Sequence, residues 1–143
     1  MLNNMPELTK KYLEIKESIK KHSPFDEKET NRILNKFFNS IPANVELLIK
    51  KYQFDKKKVL DIGSSLGQTL FYWNKNSEGV EIDSRKIQLP RALGYTVHEL
   101  DVEEGFPNLK EESYDAIYTN NLIEHLECPH LFLVRLYPLL KPK

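Results

Sequence analysis

Lys57-Lys58-Val59-Leu60-Asp61-Ile62-Gly63-Ser64-Ser65-Leu66-Gly67 is the decisive stretch of this 143-residue chain. A short apolar strand runs there into a turn of small residues. Gly63 and Gly67 can take backbone angles closed to other residues and leave no side chain in a ligand's way. A helix expected over residues 68–74 would present its free N–H groups to polar ligand atoms. Nineteen residues after Ile62, the run Gly79-Val80-Glu81-Ile82 carries an acid near the C-terminal end of a second strand. A carboxylate in that place can accept both hydroxyls of a ribose. Strand, small-residue turn, helix and later acid together point to a nucleoside-bearing cofactor.

Outward from this stretch, short apolar runs alternate with helical ones, the pattern of a parallel α/β sheet. Strands are expected over 57–62, 79–82, 96–100 and 114–119, and helices over 68–74, 84–93, 121–126 and 130–140. Pro90 removes a backbone donor from the second of these helices and should kink it or end it early. Upstream, residues 1–55 read as a helical cap. Leu8, Tyr12, Ile15 and Ile19 recur at steps of four and three, which stacks them on one face. Asp26 and Glu29 have capping-box spacing ahead of Ile33, Leu34, Phe37 and Phe38, and Ser40 to Pro42 break that second helix. Val45, Leu48, Ile49 and Tyr52 form a third amphipathic segment. The cap, 1–55, and the α/β core, 56–143, are read as one structural domain.

Composition bounds the function without naming it. With 40% apolar and 29% charged residues the chain is neither a disordered tail nor a membrane protein. No apolar run approaches the roughly 18 residues of a membrane helix, and the N-terminus lacks a charged-then-apolar signal pattern, so no membrane insertion and a cytoplasmic location are expected. The one cysteine, Cys128, excludes an internal disulfide and any multi-thiolate metal site. Lys plus Arg equal Asp plus Glu at 21 each, yet residues 1–58 carry 13 against 8. Acids interleave with this basic excess and no aromatic platform accompanies it in sequence. Solvated helix faces are therefore expected, and nucleic acid is not expected as a partner.

Nicotinamide dinucleotides share the strand, turn, helix and acid. Their G-x-G-x-x-G spacing started at Gly63 needs glycine at 65 and 68, where this chain has Ser65 and Gln68. By contrast, residues 59–67 resemble the D-x-G-x-G-x-G signature of class I S-adenosylmethionine-dependent methyltransferases, with Ser65 replacing the middle glycine. The resemblance continues through about residues 57–143. Gly79-Val80-Glu81-Ile82-Asp83 is similar to the family's second strand, with Glu81 at the ribose-holding position and Asp83 as the alternate. Leu100-Asp101-Val102 resembles the segment bordering the adenine. Residues 114–120 resemble the fourth strand and its turn, Leu122-Ile123-Glu124-His125-Leu126 the Glu-His-Leu element, and Leu139-Leu140-Lys141-Pro142 the lead-in to a fifth strand.

The resemblance implies a Rossmann-like fold with helices on both faces of the sheet, and S-adenosyl-L-methionine as cofactor. It implies cofactor contacts at Asp61, Gly63, Ser64, Ser65 and Gly67, at Glu81 and Ile82, at Asp101 and Val102, and at Asn120. Asp101 would face the adenine amino group, Val102 would cover the ring, and Asp61 would lie near the methionine part. Methyl transfer is an in-line displacement from an already activated donor, so placement alone can supply much of the rate. His125 is the candidate general base, and its other reading is a histidine closing the turn after strand four, with Glu124 as partner or cap. Glu124, His125 and His130 invite a metal reading, but Asn121 stands where an acid would be needed, and residues 124 and 125 point about 100° apart on a helix. No metal is expected. Phe71, Tyr72 and Trp73 are expected in the core.

Family members have seven strands, and this chain stops where the fifth is due. The strand order expected of what remains is 3-2-1-4, with the ligand at the crevice between strands 1 and 4. Strand 4 would be an open edge, able to support self-association. The expected activity is methyl transfer to a small molecule, a lipid or a glycan precursor. The alternatives are a non-catalytic cofactor-binding or interaction module and a nucleotide-dependent reductase.

Overall fold

The computed structural model describes residues 14, 16, 17, 19–37 and 42–142, without the side chains of 33, 34, 36 and 37. The readings placed on Leu8, Tyr12, Ile15, Phe38 and Ser40, and on the side chains of Ile33, Leu34 and Phe37, lie outside it. Four strands, β1 (Val59–Ile62), β2 (Glu78–Glu81), β3 (Thr96–Glu99) and β4 (Ala116–Thr119), form one parallel sheet in the order β3-β2-β1-β4. The helices are α1 (Glu27–Phe37), α2 (Ala43–Tyr52), α3 (Ser84–Ala92) and α4 (Pro129–Leu136). The order 3-2-1-4 expected from the sequence is thus the order found.

β1 is buried at all four positions, as a central strand covered on both faces must be. Its side chains alternate between two cores. Val59 packs with Leu70, Phe71, Trp73, Ile87, Leu89, Val97 and Tyr118, and with Val45 of α2 and Ile19 of the leading segment. Leu60 and Ile62 pack with Val80, Tyr114, Phe132, Leu136 and Leu139. α2 and α3 therefore cover one face and α4 the other. Asp26 caps α1, its Oδ1 accepting from the Glu29 N–H at 2.8 Å.

β1, β3 and β4 are shorter than the sequence indicates, β2 is shifted by one residue at the same length, and three helices differ. Residues 68–74 form no α-helix: Leu70–Tyr72 make a single 3-10 turn. Bulky aromatics and Thr69 are weak helix formers, and a run this short cannot offset the cost of nucleation. Phe71 and Trp73 go into the core instead, each 1% exposed. The segment 121–126 is likewise reduced to the 3-10 turn Ile123–His125, entered through a left-handed Asn121 with φ 54°. α4 starts at Pro129, which lacks the N–H a first-turn residue would leave unpaired, and gives way to the 3-10 turn Tyr137–Leu139 around Pro138. Pro90 lies inside α3, which runs only two residues beyond it. Past β4's outer side, Leu140 pairs in parallel with Tyr114, and Lys141 N–H donates to Tyr114 O at 2.9 Å. The chain's end thus starts along the β4 edge.

The N-terminal end of the sheet is pinned by Glu78. Lys58 Nζ lies 2.6 Å from one of its oxygens, while His98 Nε2 lies 2.7 Å from the other and Tyr114 OH donates to that same oxygen at 2.7 Å. Burial pushes the Glu78 carboxyl upward, but Lys58, His98 and Tyr114 outweigh it and hold the group below its ordinary value. A depressed carboxylate contributes stability above its unfolded pKa and loses it as pH falls through the folded value. Tyr114→Phe should therefore cost about 1–3 kcal/mol at pH 7. Urea unfolding should show that difference shrinking in acid, and an equal difference at both pH values would contradict the assignment.

Candidate functional site

The turn after β1 is held by β2. Gly63 N–H and Ser64 N–H both donate to Val80 O at 2.9 Å, and Gly67 N–H closes the turn onto Ser64 O at 2.8 Å. Gly63, Ser65 and Gly67 are all left-handed, with φ of 74°, 51° and 81°. Ser65 thus takes, with a side chain, the conformation for which the resemblance has a glycine. Its N–H donates to Glu81 Oε2 at 2.8 Å, while Glu81 Oε1 accepts from Ile82 N–H at 3.0 Å and Asp83 N–H at 2.9 Å. The Glu81 carboxylate, at the tip of β2, bridges the two strand ends. Gly67 is sterically fixed as well: a Cβ there would stand 2.8 Å from the Phe71 ring.

Asp61 is 1% exposed, and its Oδ2 accepts from Trp73 Nε1 at 3.2 Å. Burial pushes its pKa up to about 7, with hydrogen bonds from Thr69 and Trp73 opposing the rise. Asp61 lines a pocket of about 220 Å³ whose walls include Ser64 from the turn, Tyr118 and Asn120 from the β4 end, and Pro42, Asn44 and Val45 from the leader. Asn44 Nδ2 donates to Tyr118 OH at 2.9 Å and so ties the start of α2 to β4. Burial, then the Asp61 charge, push the Tyr118 phenol upward. Ser64 is 1% exposed, and its hydroxyl has no hydrogen-bond partner among the described residues. That hydroxyl lies against β2, 2.6 Å from where a Cβ on Gly79 would stand.

The remaining candidates divide into those that flank the turn and those that do not. Ile82 is 62% exposed beside Glu81, an unusual position for an isoleucine on an apolar count alone. Asp101 Oδ1 accepts from Glu103 N–H at 2.9 Å, and Val102 is buried behind it. Leu100 N–H reaches Glu81 O at 3.3 Å, so this segment leaves β3 next to the β2 tip. Asp83 is committed elsewhere: it caps α3 through Arg85 N–H and pairs with the Arg85 guanidinium. His125 is exposed on its 3-10 turn and does not line the pocket. Among the described residues no three His, Cys, Asp or Glu side chains gather as a metal site. Sequence reading missed Asn44 and Tyr118. Tyr118 follows from strand alternation once Ile117 is assigned to the opposite core, but nothing local marks Asn44, which lies 74 residues away.

A parallel sheet in the order 3-2-1-4 with helices on both faces is a Rossmann-like fold. The profile of the methyltransferase domain family matches residues 60–143, and the chain belongs to that family. Among solved structures, an S-adenosylmethionine-dependent methyltransferase from Thermotoga maritima is 25% identical with a TM-score of 0.58, over 80% of this chain and 53% of that one. A methyltransferase from Archaeoglobus fulgidus is 24% identical with a TM-score of 0.55, over 77% and 52%. A protein from Methanococcus maripaludis assigned to the same class is 18% identical with a TM-score of 0.64, over 80% and 57%. This chain thus spans about half the length of the structures it resembles. No curated protein matches it.

Asp61 makes the site pH-sensitive. Its folded pKa of about 7 stands above the ordinary carboxylate value, so stability falls as pH rises through the interval between them. Asp61→Asn removes the charge and keeps an acceptor for Trp73. Relative to the native protein it should gain on the order of 2–3 kcal/mol between pH 5 and pH 8. Parallel unfolding curves at both values would sink this reading.

Proposed function

We propose that this chain binds S-adenosylmethionine across the C-terminal ends of β1, β2 and β3 and transfers its methyl group to a small molecule, a lipid or a glycan precursor. The observation that carries the proposal is the Glu81 carboxylate, bound by three backbone N–H groups at the mouth of the turn. A carboxylate offers about four lone-pair positions, and three are taken, which leaves a strong acceptor for one ribose hydroxyl. Ile82, exposed, and Val102, buried, would flank the base, and the second oxygen of Asp101 would accept from its amino group. Ser64, Asp61 and Asn120 would hold the amino-acid end in the pocket.

The bound cofactor supplies a methyl group already activated by a positive sulfonium. The chain's residues have to exclude water and fix the line of attack. The Asn44–Tyr118 bond walls the pocket on the leader side. Near-attack placement can contribute about 7–11 kcal/mol at the ideal limit. The pocket-lining residues include no His, Lys or Arg, so in this proposal orientation carries the chemistry, and His125 on its exposed turn is given no role as base. A cytoplasmic location and self-association through the Ala116–Thr119 edge belong to the same reading. They rest on the absence, among the described residues, of a helix long and apolar enough to cross a membrane, and on β4 standing last in the sheet.

Calorimetry with S-adenosylhomocysteine and with NADH tests the proposal. S-adenosylhomocysteine should bind and NADH should not. Glu81→Ala should lose about 1.5–3 kcal/mol of that affinity, as expected for a charged hydrogen-bond partner. A preference for NADH, or an unchanged dissociation constant in the variant, would overturn it.

A further inference from the structure

The opposite end of the sheet holds an arrangement that the pocket does not use. The chain enters β1 through Lys50-Lys51-Tyr52-Gln53-Phe54-Asp55-Lys56-Lys57-Lys58, five lysines against one acid. α2 stops at Tyr52, Gln53 is left-handed with φ 55°, and the 3-10 turn Phe54–Lys56 folds the chain back. Lys51, Tyr52, Gln53, Lys56 and Lys57 then line one shallow cleft of about 360 Å³. The left-handed turn at Gln53 folds this short run back on itself and so sets its cations and an aromatic ring around one concavity.

Two of the five lysines are engaged, Lys50 with Glu46 and Lys58 with Glu78. Among the described residues Lys51, Lys56 and Lys57 have no carboxylate within ion-pair reach. Lys57 acts on Asp115 only at longer range, and Lys141 holds that acid at 2.7 Å. Lysines at a helix C-terminus ordinarily answer the exposed carbonyls. Here the Gln53 N–H serves both Leu48 O and Ile49 O, and no ammonium of the cleft bonds them. Among the described residues, the one close contact of these ammoniums is Lys51 Nζ over the Tyr52 ring, 5.2 Å from its centre. Beside them two apolar side chains face solvent: Leu47, one helical turn before Lys51 and 57% exposed, and Tyr52, 47% exposed.

Free cations around a concavity, bordered by an aliphatic and an aromatic anchor, match the layered chemistry of an anionic bilayer surface: phosphate outside and acyl chain beneath. A nucleic acid would leave Leu47 without a role and find only one stacking face. We propose that this end of the molecule docks on an anionic phospholipid surface, with a headgroup phosphate among Lys51, Lys56 and Lys57 and with Leu47 and Tyr52 entering the headgroup layer. Docking is peripheral, since no helix among the described residues is long and apolar enough to cross. The four residues of β1, rising about 3.3 Å each, set the glycine turn at the far end of the sheet from that surface.

Flotation of the full chain with two kinds of vesicle tests this: phosphatidylcholine alone, and an equimolar mixture with phosphatidylglycerol. The chain should float with the mixed vesicles only. Lys51→Glu/Lys56→Glu/Lys57→Glu should weaken this roughly 100-fold, and Leu47→Ser/Tyr52→Ser roughly tenfold, with the thermal midpoint kept in at least the latter. Failure of the native chain to float with the anionic vesicles would overturn the proposal, as would full retention in the lysine variant. A titration with oligouridylate and with inorganic phosphate supplies the other arms. Tighter binding of either than of the anionic vesicles would give the cleft to nucleic acid or to free phosphate and remove the membrane from it.

Discussion

The hydrogen bond from Ser65 N–H to the Glu81 carboxylate is the constraint on which the rest of the site depends. Val80 O takes the two preceding amides, so two residues of β2 fix three consecutive amides of the turn. Ser65 in a left-handed conformation costs about 1–2 kcal/mol. A hydrogen bond to a charged acceptor contributes about 1.5–3 kcal/mol, enough to hold a serine there. The parallel register that sets Ile62 beside Val80 delivers both partners to the same place. The same carboxylate then serves two ends, ordering the turn and presenting its remaining lone pair outward.

The Asp61 side of the turn shows how packing sets chemistry. The residues expected to form a helix after the turn put Phe71 and Trp73 into the core instead. Trp73 comes to rest with its indole N–H on Asp61, and the desolvation that raises this acid follows from those neighbours. The turn accordingly has no α-helix behind it, and its own amides are taken up by Val80 O, Glu81 and Ser64 O. α2 closes the opposite wall through Asn44, so the leader is part of the pocket rather than an appendage to it.

Much of this could be read from residues alone, for identifiable reasons. The strand positions follow from short apolar runs, the strand order and the Glu81 position follow from the family resemblance, and β1 is buried throughout as its composition requires. The segments 68–74 and 121–126 have helical spacing in the sequence without the length to sustain a helix, and each makes a single 3-10 turn. Asn44 to Tyr118 is a contact across 74 residues, and no local pattern encodes it. The lysine cleft likewise exists only where Gln53 turns left-handed and folds the chain back after α2. The uneven charge along the chain thus resolves in part into two ends of one sheet, with free lysines at the entry to β1 and Glu81, Glu99 and Asp101 where β2 and β3 finish.

A crystal structure of the chain with S-adenosylhomocysteine tests the central claim most directly. A ribose hydroxyl should lie within hydrogen-bond distance of Glu81, the base between Ile82 and Val102, and the amino-acid end against Ser64 and Asp61. A nucleoside bound away from the β2 tip, or a Glu81 carboxylate with no ligand atom in reach, would contradict it.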